Sequence, residues 1–259
     1  MKRLIAVFLC IIMVAFCFCS CMKGEQVKSV EDKISSITEI SLETDAVISE
    51  IEEAYSLLPD ADKSKVGNYG ALGKIKENYE FLEKFNEDAQ ALLGVYEKIF
   101  TEYGISVDEV KPFAELEERY NSCDESVKAA CGEIFDKISA ENDKYVEVEQ
   151  IAVPSAATYV RGFLAQNPDK KITISDIGCI AQISEGITYF MFALTYTDNE
   201  VADKNVYSVT RFTGTPSDET TAKYASDLYR DAPSFEKTDA LLCRNIDIDL
   251  QAVLDAVAE

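Results

Sequence analysis

The sequence predicts an α+β protein: an N-terminal antiparallel helical bundle, then a small C-terminal domain with a three-stranded antiparallel sheet flanked by helices. Three observations carry this. Apolar residues recur at helical spacing from residue 29 to about 149. After Glu149 the composition changes, Glu and Lys giving way to Thr, Ile, Tyr and Phe. Three β-rich runs then follow one another with only short polar connections between them.

Each element has its own signals. Ser29 with Asp32 three residues on starts a short first helix. Ile48, Ile51, Tyr55 and Leu58 line one face of a second, over 44–58, which Pro59-Asp60 stops. Leu72, Ile75, Tyr79 and Leu82 mark a third from Asp62 to Phe85. Ala89, Leu92, Tyr96 and Ile99 mark a fourth, ended by Gly104, and Phe113, Leu116 and Tyr120 a fifth. Asp124 caps a sixth, with Val127, Cys131, Ile134, Ile138 and Tyr145 inward. Short connections make neighbouring helices antiparallel. Beyond the composition change, Pro154-Ser155 begins a helix to about Gln166. The strands are Lys171–Ile183, Ile187–Thr197 and Asn205–Phe212, with Ser184-Glu185-Gly186 as a hairpin loop and 198–204 as a longer connection. The run 189–194 is apolar on both faces and is expected to be covered on each side. Thr215-Pro216 opens a helix to about Arg230, and Asp249 caps a last one ending at Ala258.

The front of the chain is of a different kind. Lys2 and Arg3 precede an apolar run from Leu4 to Phe18, and Phe18-Cys19-Ser20-Cys21 follows. A membrane-spanning helix needs about 20 apolar residues, slightly more than this run supplies. The end of the run resembles the lipobox of bacterial lipoproteins, in which a cysteine thiol receives a diacylglyceryl group and becomes the first mature residue. Cys21 matches that cysteine and Ser20 the small residue before it; Phe18 departs from the usual Leu or Val. The resemblance implies a signal peptide over 1–20, lipidation of Cys21 and anchorage on the extracytoplasmic face of the cell membrane. Two acyl chains hold firmly where one binds marginally. Residues 21–28 would be the tether, reaching roughly 25 Å at about 3.5 Å per residue.

A second resemblance covers Ile34 to Leu82, centred on ISLETDAVISEIEEAYSLLPDADKSKVGNYGALGKI. It is similar to a recurrent helical motif of Gram-positive surface proteins, with Ala54-Tyr55, Leu58, Lys63, Val66, Asn68-Tyr69 and Leu72 at the motif positions. It implies surface display, as a spacer or beside a binding module. The domain plan is therefore signal peptide 1–20, tether 21–28, helical domain 29–149 and α+β domain 150–259.

Composition narrows the chemistry. The 259 residues hold 47 Asp and Glu against 25 Lys and Arg, a net charge of -22. Removing 1–20 takes away Lys2 and Arg3 and no anion, giving -24. Such acidity argues against nucleic acid, which rewards clustered Lys and Arg, and against docking on anionic headgroups without a tether. The chain has no His and no Trp. His-dependent triads and imidazole zinc sites are thereby impossible, and no cofactor is implied. The eight cysteines include three in the signal segment. Cys123 and Cys131 lie too far apart along a helix to bridge, while Cys179 and Cys243 are either a pair or two separate thiols.

Few residues stand out as a site. Gly67, Gly70 and Gly73 fall in a helical pattern, where each costs about 1 kcal/mol against Ala. Asp198, Asn199, Glu200, Asp203 and Asn205 crowd one connection, without the spacing of an EF-hand. Asp247 and Asp249 straddle Ile248 as a pair of the kind glycosidases use. Tyr189, Tyr196 and Tyr207 are candidate ligand contacts, since Tyr joins an apolar body to a polar tip. The expected protein is a non-enzymatic lipoprotein whose helical stalk holds a binding or structural α+β module for an envelope protein or wall component. The competing expectation is a carboxylate-dependent hydrolase of wall glycans.

Overall fold

In the computed structural model of the protein the described residues are 24–102, 104–199, 201–213, 223–225 and 244–258; along 202–205, 207–213 and 223–225 the description is of the backbone. Cys21 and residues 1–20, expected as a signal peptide, lie outside them, as does Cys243. The fold is α+β. Helices α1 (24–36), α2 (Thr44–Ser56), α3 (Asp60–Lys63), α4 (Tyr69–Tyr96), α5 (Pro112–Ser122) and α6 (Glu125–Ala165) come first. A 3-10 turn, Val107–Glu109, precedes α5. Strands β1 (Ile172–Ser184), β2 (Ile187–Asp198), β3 (Val201–Thr213) and β4 (Lys223–Ala225) follow, and α7 (Leu250–Ala258) closes the described chain.

Several boundaries differ from expectation. Residues 24–28, expected as tether, are already helical, because Val27 extends the buried Val30 and Ile34 stripe back by a turn. The third and fourth helices are one, α4, of 28 residues. Residues 86–88 contain no helix breaker, and buried Leu82, Phe85, Ala89, Leu92 and Tyr96 keep one face apolar throughout. Likewise α6 runs for 41 residues through Pro154, which does not start a new helix. Proline in a helix interior costs about 3 kcal/mol and leaves a carbonyl unpaired. Here that carbonyl belongs to solvent-exposed Gln150, while Ile151, Ala152, Ala156, Ala157 and Val160 are buried on either side of the proline. The composition change at Glu149 therefore falls inside a helix.

The described residues divide into two compact units: those up to Glu87 with Tyr120–Gly132, and Asp88–Arg119 with those from Glu133 on. In the first unit, Val27, Val30, Ile34, Ile48, Ile51, Leu58, Val66 and Leu72 form the core. Tyr55, Asn68 and Tyr69, which carry the resemblance to a surface-protein motif, make packing and hydrogen-bond contacts here. Tyr55 stacks on Tyr69 with ring centroids 3.7 Å apart. Asn68 Nδ2 donates to the Glu31 carbonyl at 2.9 Å and to Ser35 Oγ at 3.0 Å, locking the start of α4 to α1. Gly70 and Gly73 lie in the first turns of α4, with open space where a side chain would project. No neighbouring element of the protein approaches them closely. Gly73→Ala is therefore expected to stabilise the protein by about 1 kcal/mol, read as a raised urea midpoint; a lowered midpoint would mean a contact has been missed.

The sheet of the second unit is antiparallel throughout, in the order β1-β2-β3-β4, so the expected three strands are not what is found. β3 begins at Val201 because the second connection is a tight turn at Asn199 (φ 48°) rather than a seven-residue loop. β4 occupies 223–225, inside the helix expected over 215–230; the rest of that segment lies outside the described residues. The first hairpin turns at Glu185 (φ 52°) and Gly186 (φ 75°), a two-residue connection whose left-handed pair matches the strand twist. Phe190, Met191, Phe192, Ala193 and Leu194 are all buried, so the middle of β2 is covered on both faces. On one face, Tyr159 of α6 stacks on Phe192 (5.7 Å), which lies 5.9 Å from Phe190. Asp249 caps α7, accepting from Gln251 N at 2.8 Å. No described helix is long and apolar enough to cross a membrane.

Candidate functional site

Of the tyrosines singled out by sequence, Tyr189 and Tyr196 do not converge. β1 carries the bulge at Ser175, so β2 alternates regularly, and Tyr189 and Tyr196 fall on opposite faces. Tyr196 meets Phe163 of α6 edge-on at 4.9 Å and is core edge. Tyr207 pairs with Ala193 in the backbone register, and its side chain lies outside the description. In the acidic connection after β2, Asp198 and Asn199 have described side chains. Asp198 is buried, with Lys170 Nζ 3.5 Å from Oδ2 and Asn199 Nδ2 donating to Oδ1 at 3.1 Å. Among the described residues no three metal-ligating side chains sit together. Cys123, Cys131 and Cys179 are thiols rather than half-cystines. Cys131 and Cys179 are fully buried, and burial pushes the Cys179 pKa well up.

What the structure assembles instead is a buried polar cluster and an open cleft, both within the second unit. The cluster centres on the extended stretch 244–249. Asn245 is 3% exposed. Its Nδ2 donates to the carbonyls of Ile99 (2.6 Å) and Ala181 (2.8 Å), and its Oδ1 accepts from Ala181 N at 2.8 Å. Its own carbonyl accepts from the Tyr145 hydroxyl at 3.0 Å. Arg244 O accepts from Val107 N, and Ile246 bridges Cys179 of β1. Beside this lies Glu149 of α6, a half-buried carboxyl. Burial raises its pKa above the usual range, and the charge of Asp247 adds to that. The nearby Tyr145 hydroxyl and Asp247 backbone N–H pull the other way. Tyr96 donates to Asn142 Oδ1 at 2.8 Å, and burial, with the Glu149 charge behind it, pushes the Tyr96 and Tyr145 hydroxyls well up.

Asp247 thus acts on Glu149, while Asp249 caps α7. Glu149 had a legible signal, an acid near Tyr145, Val148 and Ala152 on the apolar side of a helix. Asn245 had none, because its partners are 64 and 146 residues away. Since folding raises the proton affinity of Glu149, the folded chain holds more of that proton around the raised value. The penalty is present above it and relieved as pH falls through it toward about 4.5. Glu149→Gln is expected to match the wild type at pH 4 and to exceed it at pH 8, by at most about 1 kcal/mol after solvent screening. Urea midpoints at both pH values check this; a difference independent of pH would refute it.

The cleft lies between the second half of α4 and the start of α5, with a volume of ≈ 430 Å³. Leu92 and Leu116 form its floor, nearly buried, with Val95, Ala91 and Pro112 around them. Asp88, Glu109, Glu115 and Arg119 stand on its walls. Arg119 is committed to Asp88 at 2.7 Å. Glu109 Oε1 accepts from Ser106 N at 3.0 Å, closing the capping box that sets the approach to α5. The walls therefore carry two carboxylates, Glu109 and Glu115, beyond the Asp88–Arg119 pair. Ligand sites of roughly 300–1,000 Å³ with apolar linings and a few placed polar groups are the norm, and the cleft meets that description. Sequence periodicity placed Leu92 and Leu116 as core but gave no sign that their helices part here.

No protein-family model, curated protein or solved structure matches the chain significantly.

Proposed function

We propose that the protein is a lipoprotein, anchored through Cys21 on the extracytoplasmic face of the cell membrane, whose folded part is a non-enzymatic binding or structural module carried on a helical N-terminal segment. The observation that carries this reading is the order Lys2-Arg3, apolar Leu4 to Phe18, then Ser20-Cys21. Its partner would be an envelope protein or a wall component. The strongly acidic body favours a tether over headgroup attraction as the means of attachment, and the α4–α5 cleft supplies a ligand-sized concavity. Cys21→Ala is expected to abolish incorporation of labelled palmitate and to move the protein from the membrane to the soluble fraction. Continued labelling, or unchanged membrane association, would remove the proposal.

One observation favours a second reading, a carboxylate-dependent hydrolase of wall glycans: Asp88, Glu109 and Glu115 share one cleft. Release of reducing sugar from purified wall by the wild type, abolished in Glu115→Gln, would support it; no release by the wild type would dismiss it.

A further inference from the structure

We propose that the α4–α5 cleft binds a cationic segment of a partner protein, one that sets a lysine or arginine beside an apolar side chain. This rests on the reading of the chain as a binding module and names the chemistry of its partner. The argument is one of complementarity. The floor of Leu92, Val95 and Leu116 offers apolar surface in a concavity, where burying an apolar side chain is favourable. The polar wall is asymmetric. Its single cation, Arg119, is neutralised by Asp88, whereas Glu109 and Glu115 have no basic partner among the described ion pairs. An anionic ligand would meet net repulsion from the walls and from a chain of net charge -22. A neutral apolar ligand would leave two carboxylates desolvated at the rim without compensation. A basic side chain next to an apolar one satisfies floor and rim together. A bare polyamine would satisfy the rim alone.

The test uses the full-length protein in detergent at 150 mM salt, where the Debye length of about 8 Å screens diffuse attraction to the acidic surface. The probe is a fluorescein-labelled hexapeptide alternating lysine and leucine, followed by anisotropy. The comparators are the same peptide with glycine for leucine, the same peptide with glutamate for lysine, and spermidine as competitor. Saturable binding of the first peptide is expected, with weaker binding of the glycine form and none of the acidic form. Ala91→Trp fills the cleft from an exposed position and Glu115→Lys reverses one wall charge. Each should weaken binding by about tenfold or more, equivalent to about 1.4 kcal/mol. Glu53→Lys, an exposed charge reversal on α2, should change it less than about twofold and measures the diffuse electrostatic component.

Equal affinity across all three variants overturns the proposal, as does the absence of saturable binding below about 1 mM, a free energy of about 4 kcal/mol. Displacement of the leucine peptide by spermidine at equal concentration overturns it too, by showing that the floor contributes nothing. Loss of far-UV dichroism in one cleft variant leaves the other to decide. Palmitate labelling at Cys21 is independent of the cleft, so failure of this site and failure of the lipoprotein reading are separable.

Discussion

Asn245→Ala is expected to destabilise the protein by about 4 kcal/mol, out of a total near 5–15 kcal/mol for a domain. The substitution removes three hydrogen bonds and leaves three buried backbone groups behind: Ile99 O, Ala181 O and Ala181 N. Each unpaired buried group costs about 1–3 kcal/mol, and no described side chain stands ready to replace the amide. Asn245→Asp is the more informative change. A carboxylate oxygen would then face the Ile99 and Ala181 carbonyls where an NH₂ group donates now. Protonation restores one donor, so this variant should be closer to wild type at pH 4 than at pH 8. Urea unfolding followed by far-UV dichroism measures both variants, since the chain has no Trp to report by fluorescence. A cost below about 1 kcal/mol for alanine, the net worth of one ordinary hydrogen bond, would show that stretch 244–249 does not clamp the second unit.

Phe192→Ala should cost about 3–5 kcal/mol, the range for a buried aromatic replaced by alanine. Phe192 is fully buried, stacked against Tyr159 of α6 and beside Phe190. The cavity would open between sheet and helix, where Tyr159 now covers Phe192. Phe192→Leu should recover more than half of the loss, because most of the volume returns. If leucine and alanine cost the same, stacking geometry rather than filled volume holds α6 on β2. The same urea measurement separates these outcomes.

What was readable in advance follows from how local each cause is. The stripe Ile48, Ile51, Tyr55 and Leu58 declares itself by period and the run Tyr189 to Leu194 by its unbroken apolarity; Ile48, Ile51, Leu58 and Phe190 to Leu194 are buried, while Tyr55 and Tyr189 are half-buried. Helix ends were less legible, for two reasons. Between Phe85 and Ala89 no residue enforces a stop, and at Pro154 the usual stop was overridden by burial on both sides. The tight turn at Asn199 is a third case: acidic and amide residues read as a loop, yet Asn accepts a left-handed backbone and so lets β3 start early. The polar cluster and the cleft are harder in kind. Asn245 is defined by carbonyls 64 and 146 residues away, and the cleft by a parting of two helices that periodicity alone packs together. No window of neighbouring residues contains such information.

The two buried thiols among the described residues give the molecule a pair of native clocks. Cys131 belongs to the first unit and Cys179 to the second, and both are sealed from solvent. A maleimide reaches either sulfur only when its own surroundings open, whereas half-exposed Cys123 marks the rate of ready access. Timed alkylation and peptide mass analysis can therefore follow the opening of each half of the chain in one tube, without introducing a label or altering a residue.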